Sequence, residues 1–123
     1  MVGMTLTLWL IAIILAYIIG SIPFGVILAS MKGVNIREEG SKNIGATNVW
    51  RVLGKQYGIT CFVLDVSKGA VPVYVAGNFA GIAGKTLGSY PETELWLWLG
   101  VALAPCFGHM YSFFLKFQGG KGV

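Results

Sequence analysis

Residues 1–31 contain no Asp, Glu, Lys or Arg. A helix needs roughly 20 apolar residues to cross a hydrocarbon core of about 30 Å, so the run predicts a spanning helix over residues 5–30. Ile22-Pro23 removes a backbone donor inside it, and Gly20 and Gly25 lie on either side, so the helix is expected to bend in its last third. A cleaved secretory leader is the competing reading. The absence of a basic start and the length of the apolar run argue against it. A second apolar stretch, 57–84, is interrupted only by Asp65 and Lys68. The third, from Leu95 to Leu115, carries no Asp, Glu, Lys or Arg over 21 residues and predicts a span over 95–117. The pattern thus predicts an all-α fold: a polytopic transmembrane helical bundle, a single membrane domain with three spans, joined by a loop over 31–56 and another over 85–94.

Composition agrees with lipid as the solvent. Of 123 residues, 55% are hydrophobic and 11% are charged, against about 25% charged in ordinary soluble domains. So few charges cannot clothe a water-soluble domain, and a disordered chain needs the opposite balance. Lys32, Arg37, Lys42, Arg51 and Lys55 fall in the first loop, whereas the second holds Lys85 with Glu92 and Glu94. The positive-inside rule then places the first loop in the cytoplasm, the N-terminus outside, and the C-terminal end, with Lys116 and Lys121, in the cytoplasm.

Few residues in the spans carry chemistry. Asp65 and Lys68 are three apart, the spacing at which opposite charges meet on one helical face, and a mutual pair is the economical reading of both. His109 is a candidate functional group because it is polar in lipid, although a bond to a neighbouring helix would serve packing equally well. Cys61 and Cys106 have no Cys or His at metal-ligand spacing and are expected to be reduced, buried packing residues. Gly77 to Gly81 fits the small-xxx-small pattern of close helix packing. The pattern calls for no metal and no cofactor.

The first loop is different. Gly40-Ser41-Lys42-Asn43-Ile44-Gly45-Ala46-Thr47-Asn48-Val49-Trp50-Arg51 combines glycines, hydroxyls and amides with flanking cations. Glycines let backbone N–H groups converge on an anion, a helix start adds its dipole, and Arg51 offers a fork to phosphate oxygens. A capped polar loop without a ligand accounts for the same composition. It is not a Walker A loop, because Phe79 stands where Gly84-Lys85-Thr86 needs its first glycine. A second cluster, Gly119-Gly120-Lys121-Gly122, follows the third span on the same predicted side. Lys121 is either an anion clamp there or a snorkelling anchor.

Four segments in order, Gly20 to Gly25 (GSIPFG), 40–55 (GSKNIGATNVWRVLGK), 65–69 (DVSKG) and 108–123 (GHMYSFFLKFQGGKGV), resemble the bacterial acyl-phosphate:glycerol-3-phosphate acyltransferase family. The resemblance implies a multi-pass enzyme of the bacterial inner membrane. Such an enzyme moves a fatty acyl group from acyl phosphate to the 1-hydroxyl of sn-glycerol 3-phosphate, giving lysophosphatidic acid at the cytoplasmic face. Its implied partners are these substrates and membrane lipid, with no nucleic acid. It also implies Ser41, Arg51, Lys121 and His109 as catalytic candidates, with Gly40, Asn43, Gly45, Thr47, Asn48, Gly119, Gly120 and Gly122 as substrate and phosphate ligands. No Ser-His-Asp or Cys-His set is present, and the residue five after His109 is Phe114, so His-x4-Asp chemistry has no carboxylate. Lys42 stands where many members have glycine, and Ser112 where a proline is common. Members carry a further motif with histidine and asparagine that has no counterpart here, so an N-terminal portion of such an enzyme is expected. A non-enzymatic membrane subunit or anion carrier that binds phosphate is the alternative of another class.

Overall fold

The structure, a computed structural model, describes residues 4–117. Its helices are α1 (Leu6–Gly20), α2 (Phe24–Met31), α3 (Ala46–Leu53), α4 (Lys55–Phe79) and α5 (Glu92–Met110), with single 3-10 turns at Ile36–Glu38 and Phe113–Leu115. Three helical stretches are long and apolar enough to cross a membrane: Leu6–Met31, Lys55–Phe79 and Glu92–Leu115.

The first stretch is two helices, where a single bent one was expected. α1 ends at Gly20, and α2 begins after Pro23, which has no N–H to continue the ladder. Backbone carbonyls freed at such a break must find donors, because lipid supplies none. Ser112 Oγ donates to the Ser21 carbonyl at 2.5 Å, and Lys68 Nζ donates to that of Ile22 at 3.0 Å. Ser112 thus has a defined use at the end of α5, which stops at Met110 without a proline to stop it.

Between the spans, contact is made by small residues. A Cβ on Gly20 would collide with the backbone of Pro105, and one on Gly108 with the carbonyl of Tyr17 and the backbone of Gly20 and Ser21. α1 and α5 therefore touch backbone to backbone at this level. Around the seam, Trp9, Ala16, Ala76, Val101 and Ala104 form a buried cluster, with Ile13 and Trp98 packed on it. The large aliphatic groups Leu6, Ile14, Leu15, Val63, Val71 and Leu103 stay on the outer surface, where lipid tails solvate them.

Gly77 packs as expected, directly under the indole of Trp98. Gly81 does not. α4 ends at Phe79, with Ala80 as its cap, and Gly81 has φ +75° with no neighbouring atom within 4 Å of a Cβ placed there. Gly81 N–H bonds Asn78 O at 3.1 Å and Ile82 N–H bonds Gly77 O at 3.0 Å, the two bonds of a Schellman stop. Its role is to end the helix.

The first loop folds into a cap over one end of the bundle. Ile36, Ile44 and Val49 are buried there with Ala29 of α2 and Cys61 of α4, and Leu115 packs on the same cluster. The segments after α2 and after α5 therefore lie at one end.

Candidate functional site

Asn48 organises the cap. It is 1% exposed, and its side chain reaches four backbone groups. Oδ1 accepts from Ser41 N–H at 2.9 Å, and Nδ2 lies 2.8 Å from Asn43 O, 3.0 Å from Glu39 O and 3.4 Å from Ile36 O. Gly40 makes room for it: with φ +56° and Asn48 Oδ1 against its α-carbon, a side chain at Gly40 is excluded on both counts. Asn48, expected as a substrate ligand, thus has its polar atoms engaged within the loop. Its work is to shape what Ser41 to Thr47 present. Lys42 adopts φ +64°, a conformation that glycine reaches without cost, and its side chain is exposed.

α3 issues from this loop with Gly45 as its N-cap, leaving the first N–H groups of the helix without intrahelical partners. Val49 N–H returns to Gly45 O at 3.1 Å. Thr47 and Arg51 are one turn apart on the exposed side of α3 and line a shallow recess together with Trp50. The opposite side of α3 buries Val49, and Gly58 of α4 admits the backbone and side chain of Trp50 at close range. Ser41 and Arg51 are exposed and Asn43 is half-buried. Gly119, Gly120, Lys121 and Gly122 lie outside the described residues.

Next to the start of α3 is a cavity of about 280 Å³, lined by Ala46 and Thr47, by Phe62, Asp65, Val66, Lys68 and Gly69 of α4, and by Pro105, Cys106 and His109 of α5. Its walls are mostly apolar and its polar groups are few and convergent, the arrangement of a small-molecule site. Lys68 Nζ is 3.1 Å from Asp65 Oδ1 and 3.0 Å from His109 Nδ1. The Asp65–Lys68 pair expected from spacing is therefore formed, and it extends to His109. The extension was not readable from sequence, since 41 residues separate Lys68 from His109. Cys61 Sγ lies 3.5 Å from Asp65 Oδ2, which gives that buried thiol a polar neighbour. Cys106, expected to be buried like Cys61, is instead exposed, because the part of α5 that carries it borders the open cavity.

Of the candidates, Thr47 and His109 line one cavity, Thr47 and Arg51 share the adjoining recess, and Ser41 belongs to the loop that precedes them, held by Asn48 of α3. The whole is a multi-pass helical membrane protein with a polar, glycine-shaped cap set against an apolar cavity at one end of its spans.

The glycerol-3-phosphate acyltransferase family model matches residues 10–123, and the chain belongs to that family. It is 45% identical over 111 residues to the glycerol-3-phosphate acyltransferase of Aquifex aeolicus, covering 90% of this chain and 52% of the relative. With that of Geobacter metallireducens it shares 50% identity over 108 residues, 88% of this chain and 50% of the relative. A crystal structure of PlsY (YgiH), an integral membrane glycerol 3-phosphate acyltransferase in its glycerol 3-phosphate form, superposes with a TM-score of 0.79 at 44% identity. That match covers 94% of this chain and 52% of the other. The lysophosphatidic acid form of PlsY gives 0.76 at 43% identity, covering 93% and 50%. The chain spans about half the length of the curated relatives it matches.

Proposed function

We propose that this chain supplies the phosphate-binding part of an enzyme that transfers a fatty acyl group from acyl phosphate to the 1-hydroxyl of sn-glycerol 3-phosphate, giving lysophosphatidic acid. The observation that carries the reading is Thr47, which stands at the start of α3 on the rim of both the apolar cavity and the Arg51 recess. An acyl phosphate has the same layout, a long apolar tail joined through one carbonyl to a dianionic head. The cavity suits the tail. The free N–H groups at the start of α3 and the guanidinium of Arg51 suit the head.

An acyl phosphate is a mixed anhydride and already activated, so the protein has chiefly to align two anions and stabilise charge on the carbonyl oxygen and the departing phosphate. The glycerol hydroxyl oxygen bonds to the carbonyl carbon, the bond from that carbon to the phosphate oxygen breaks, and the hydroxyl proton leaves with inorganic phosphate. Ser41 N–H, fixed by Asn48, and the exposed Ser41 hydroxyl belong to this anion-binding loop, with Gly40, Asn43 and Gly45 as its frame. Lys121 and its glycine neighbours Gly119, Gly120 and Gly122 complete the phosphate contacts from the segment after α5.

We place the chain in a bacterial inner membrane, with its N-terminus outside and the cap in the cytoplasm. The support is that both basic segments, after α2 and after α5, meet at one end of the bundle. Apolar lining of the cavity favours an enzyme over an anion carrier, which needs a polar path.

A chimera tests the reading. This chain replaces the matching half of the Geobacter metallireducens relative, and membranes carrying it are supplied with acyl phosphate and glycerol 3-phosphate. Lysophosphatidic acid is expected, and Arg51→Ala is expected to lower its formation by about 100-fold or more, the loss typical of a transition-state anion contact. Unchanged turnover in Arg51→Ala would remove Arg51 from the site.

A further inference from the structure

Lys68 is 6% exposed and held on three sides. An ammonium has three N–H groups and no lone pair to offer. Here it faces Asp65 Oδ1 at 3.1 Å, donates to Ile22 O at 3.0 Å and lies 3.0 Å from His109 Nδ1. Asp65 Oδ1 is buried and has no partner among the described residues besides that ion pair. With a carboxylate on one side and a carbonyl on another, the ammonium meets Nδ1 as a donor, and Nδ1 presents its lone pair. The ring's proton then belongs to Nε2. An imidazolium would set one N–H against another across 3.0 Å.

Nε2 has no hydrogen-bond partner among the described residues and is not among their buried unpartnered atoms, while the ring lines the cavity. A donor open to the cavity is available to an acceptor there, and one of suitable shape would complete it. Phe62, Val66 and Gly69 give the cavity apolar lining suited to a tail, and Thr47 is shared with the Arg51 recess. The group between the tail and the phosphate of an acyl phosphate is its carbonyl.

We propose that Lys68, braced by Asp65 and Ile22 O, is a positioning residue that fixes His109 as an Nε2–H donor, and that this donor receives the carbonyl oxygen of the acyl phosphate. The inference rests on the acyltransferase reading above. As the glycerol oxygen bonds to the carbonyl carbon, the carbonyl electron pair moves to the oxygen, where Nε2–H meets the negative charge. Return of the pair expels inorganic phosphate, which takes the hydroxyl proton with it. Lys68 does not itself touch substrate, because its N–H groups are directed at Asp65, Ile22 and His109.

This chain has one histidine, so 15N-histidine labelling of the full chain in lipid nanodiscs gives a single imidazole to observe. The expected result is the Nε2–H tautomer, with Lys68→Met producing a mixture of tautomers. Nδ1–H or a doubly protonated ring in the unmutated chain overturns the proposal, whether or not the Lys68 variant folds. In the chimera described above, His109→Leu is expected to lower kcat by about 100-fold with little change in KM for glycerol 3-phosphate, and His109→Gln, which keeps an N–H near the Nε2 position, to recover part of that loss. Lys68→Met is expected to lower kcat less than His109→Leu does. If the chimera makes lysophosphatidic acid and His109→Leu turns over normally, the role of His109 fails while the acyltransferase reading stands. If the unmutated chimera makes none, the acyltransferase reading fails, and this proposal with it.

Discussion

The two ends of this molecule are built on opposite packing rules. Along the spans, Gly20, Gly108 and Ala104 face inward while Leu6, Ile14 and Leu15 face outward. In the cap, Ile36, Ile44 and Val49 are inside and lysines and glutamates are outside, as in any water-soluble domain. The difference follows from the solvent. Lipid tails solvate a leucine as well as a protein interior does, so large side chains gain little by turning inward, and what holds helices together is the closeness small residues permit. Water restores the usual incentive at the cap, and there a single buried amide, Asn48, also replaces the hydrogen bonds that a loop of glycines cannot make for itself.

Substitutions can break that contrast, beginning with the most severe. Gly20→Leu puts a side chain into the backbone of Pro105 and is expected to separate α1 from α5, costing about 3 kcal/mol or more. Cross-linking between cysteines introduced on the two helices, in detergent, measures it. Asn48→Ala strands Ser41 N–H and the Asn43 carbonyl, while Glu39 O and Ile36 O keep backbone donors, and is expected to cost about 2 to 3 kcal/mol, confined to the cap. Limited proteolysis checks this: cleavage between 36 and 48 should rise while α4 and α5 remain protected. Cleavage spreading into the spans would show that the cap and the bundle are one cooperative unit. The sharpest contrast is a matched pair. Ile36→Ala, at 0% exposure, is expected to cost about 2 to 4 kcal/mol. Ile14→Ala, at 58% exposure on the outer face of α1, is expected to cost under about 0.5 kcal/mol in thermal unfolding in nanodiscs.

Sequence pattern carried the spans, the place of the bend at Pro23, though not the break into two helices, and the Asp65–Lys68 pair because each is local: an apolar run, a missing donor, a spacing of three residues. It carried the cap less well. Asn48 reads as a ligand in a loop of glycines and amides, and only the fold shows its amide turned back on partners 5 to 12 residues away. Gly81 reads as packing because it is four residues from Gly77, yet the helix has already ended at Phe79. Nothing local could join Lys68 to His109 or Ser112 to Ser21, separations of 41 and 91 residues. The site candidates were therefore legible by residue type, while the division of labour among them depended on tertiary contacts.

The break at Pro23 also has a bearing on the order in which the protein matures. The carbonyls there take donors from later in the chain, Ile22 O from Lys68 in the second span beside a local bond from Phe24 N–H, and Ser21 O from Ser112 near the end of the third. During synthesis the first span reaches the bilayer before either side-chain donor has been made, and the Ser21 carbonyl, left without one in hydrocarbon, costs several kcal/mol. The newborn first span is thus incomplete as a membrane element, and its completion waits for the last described turn of the chain to arrive.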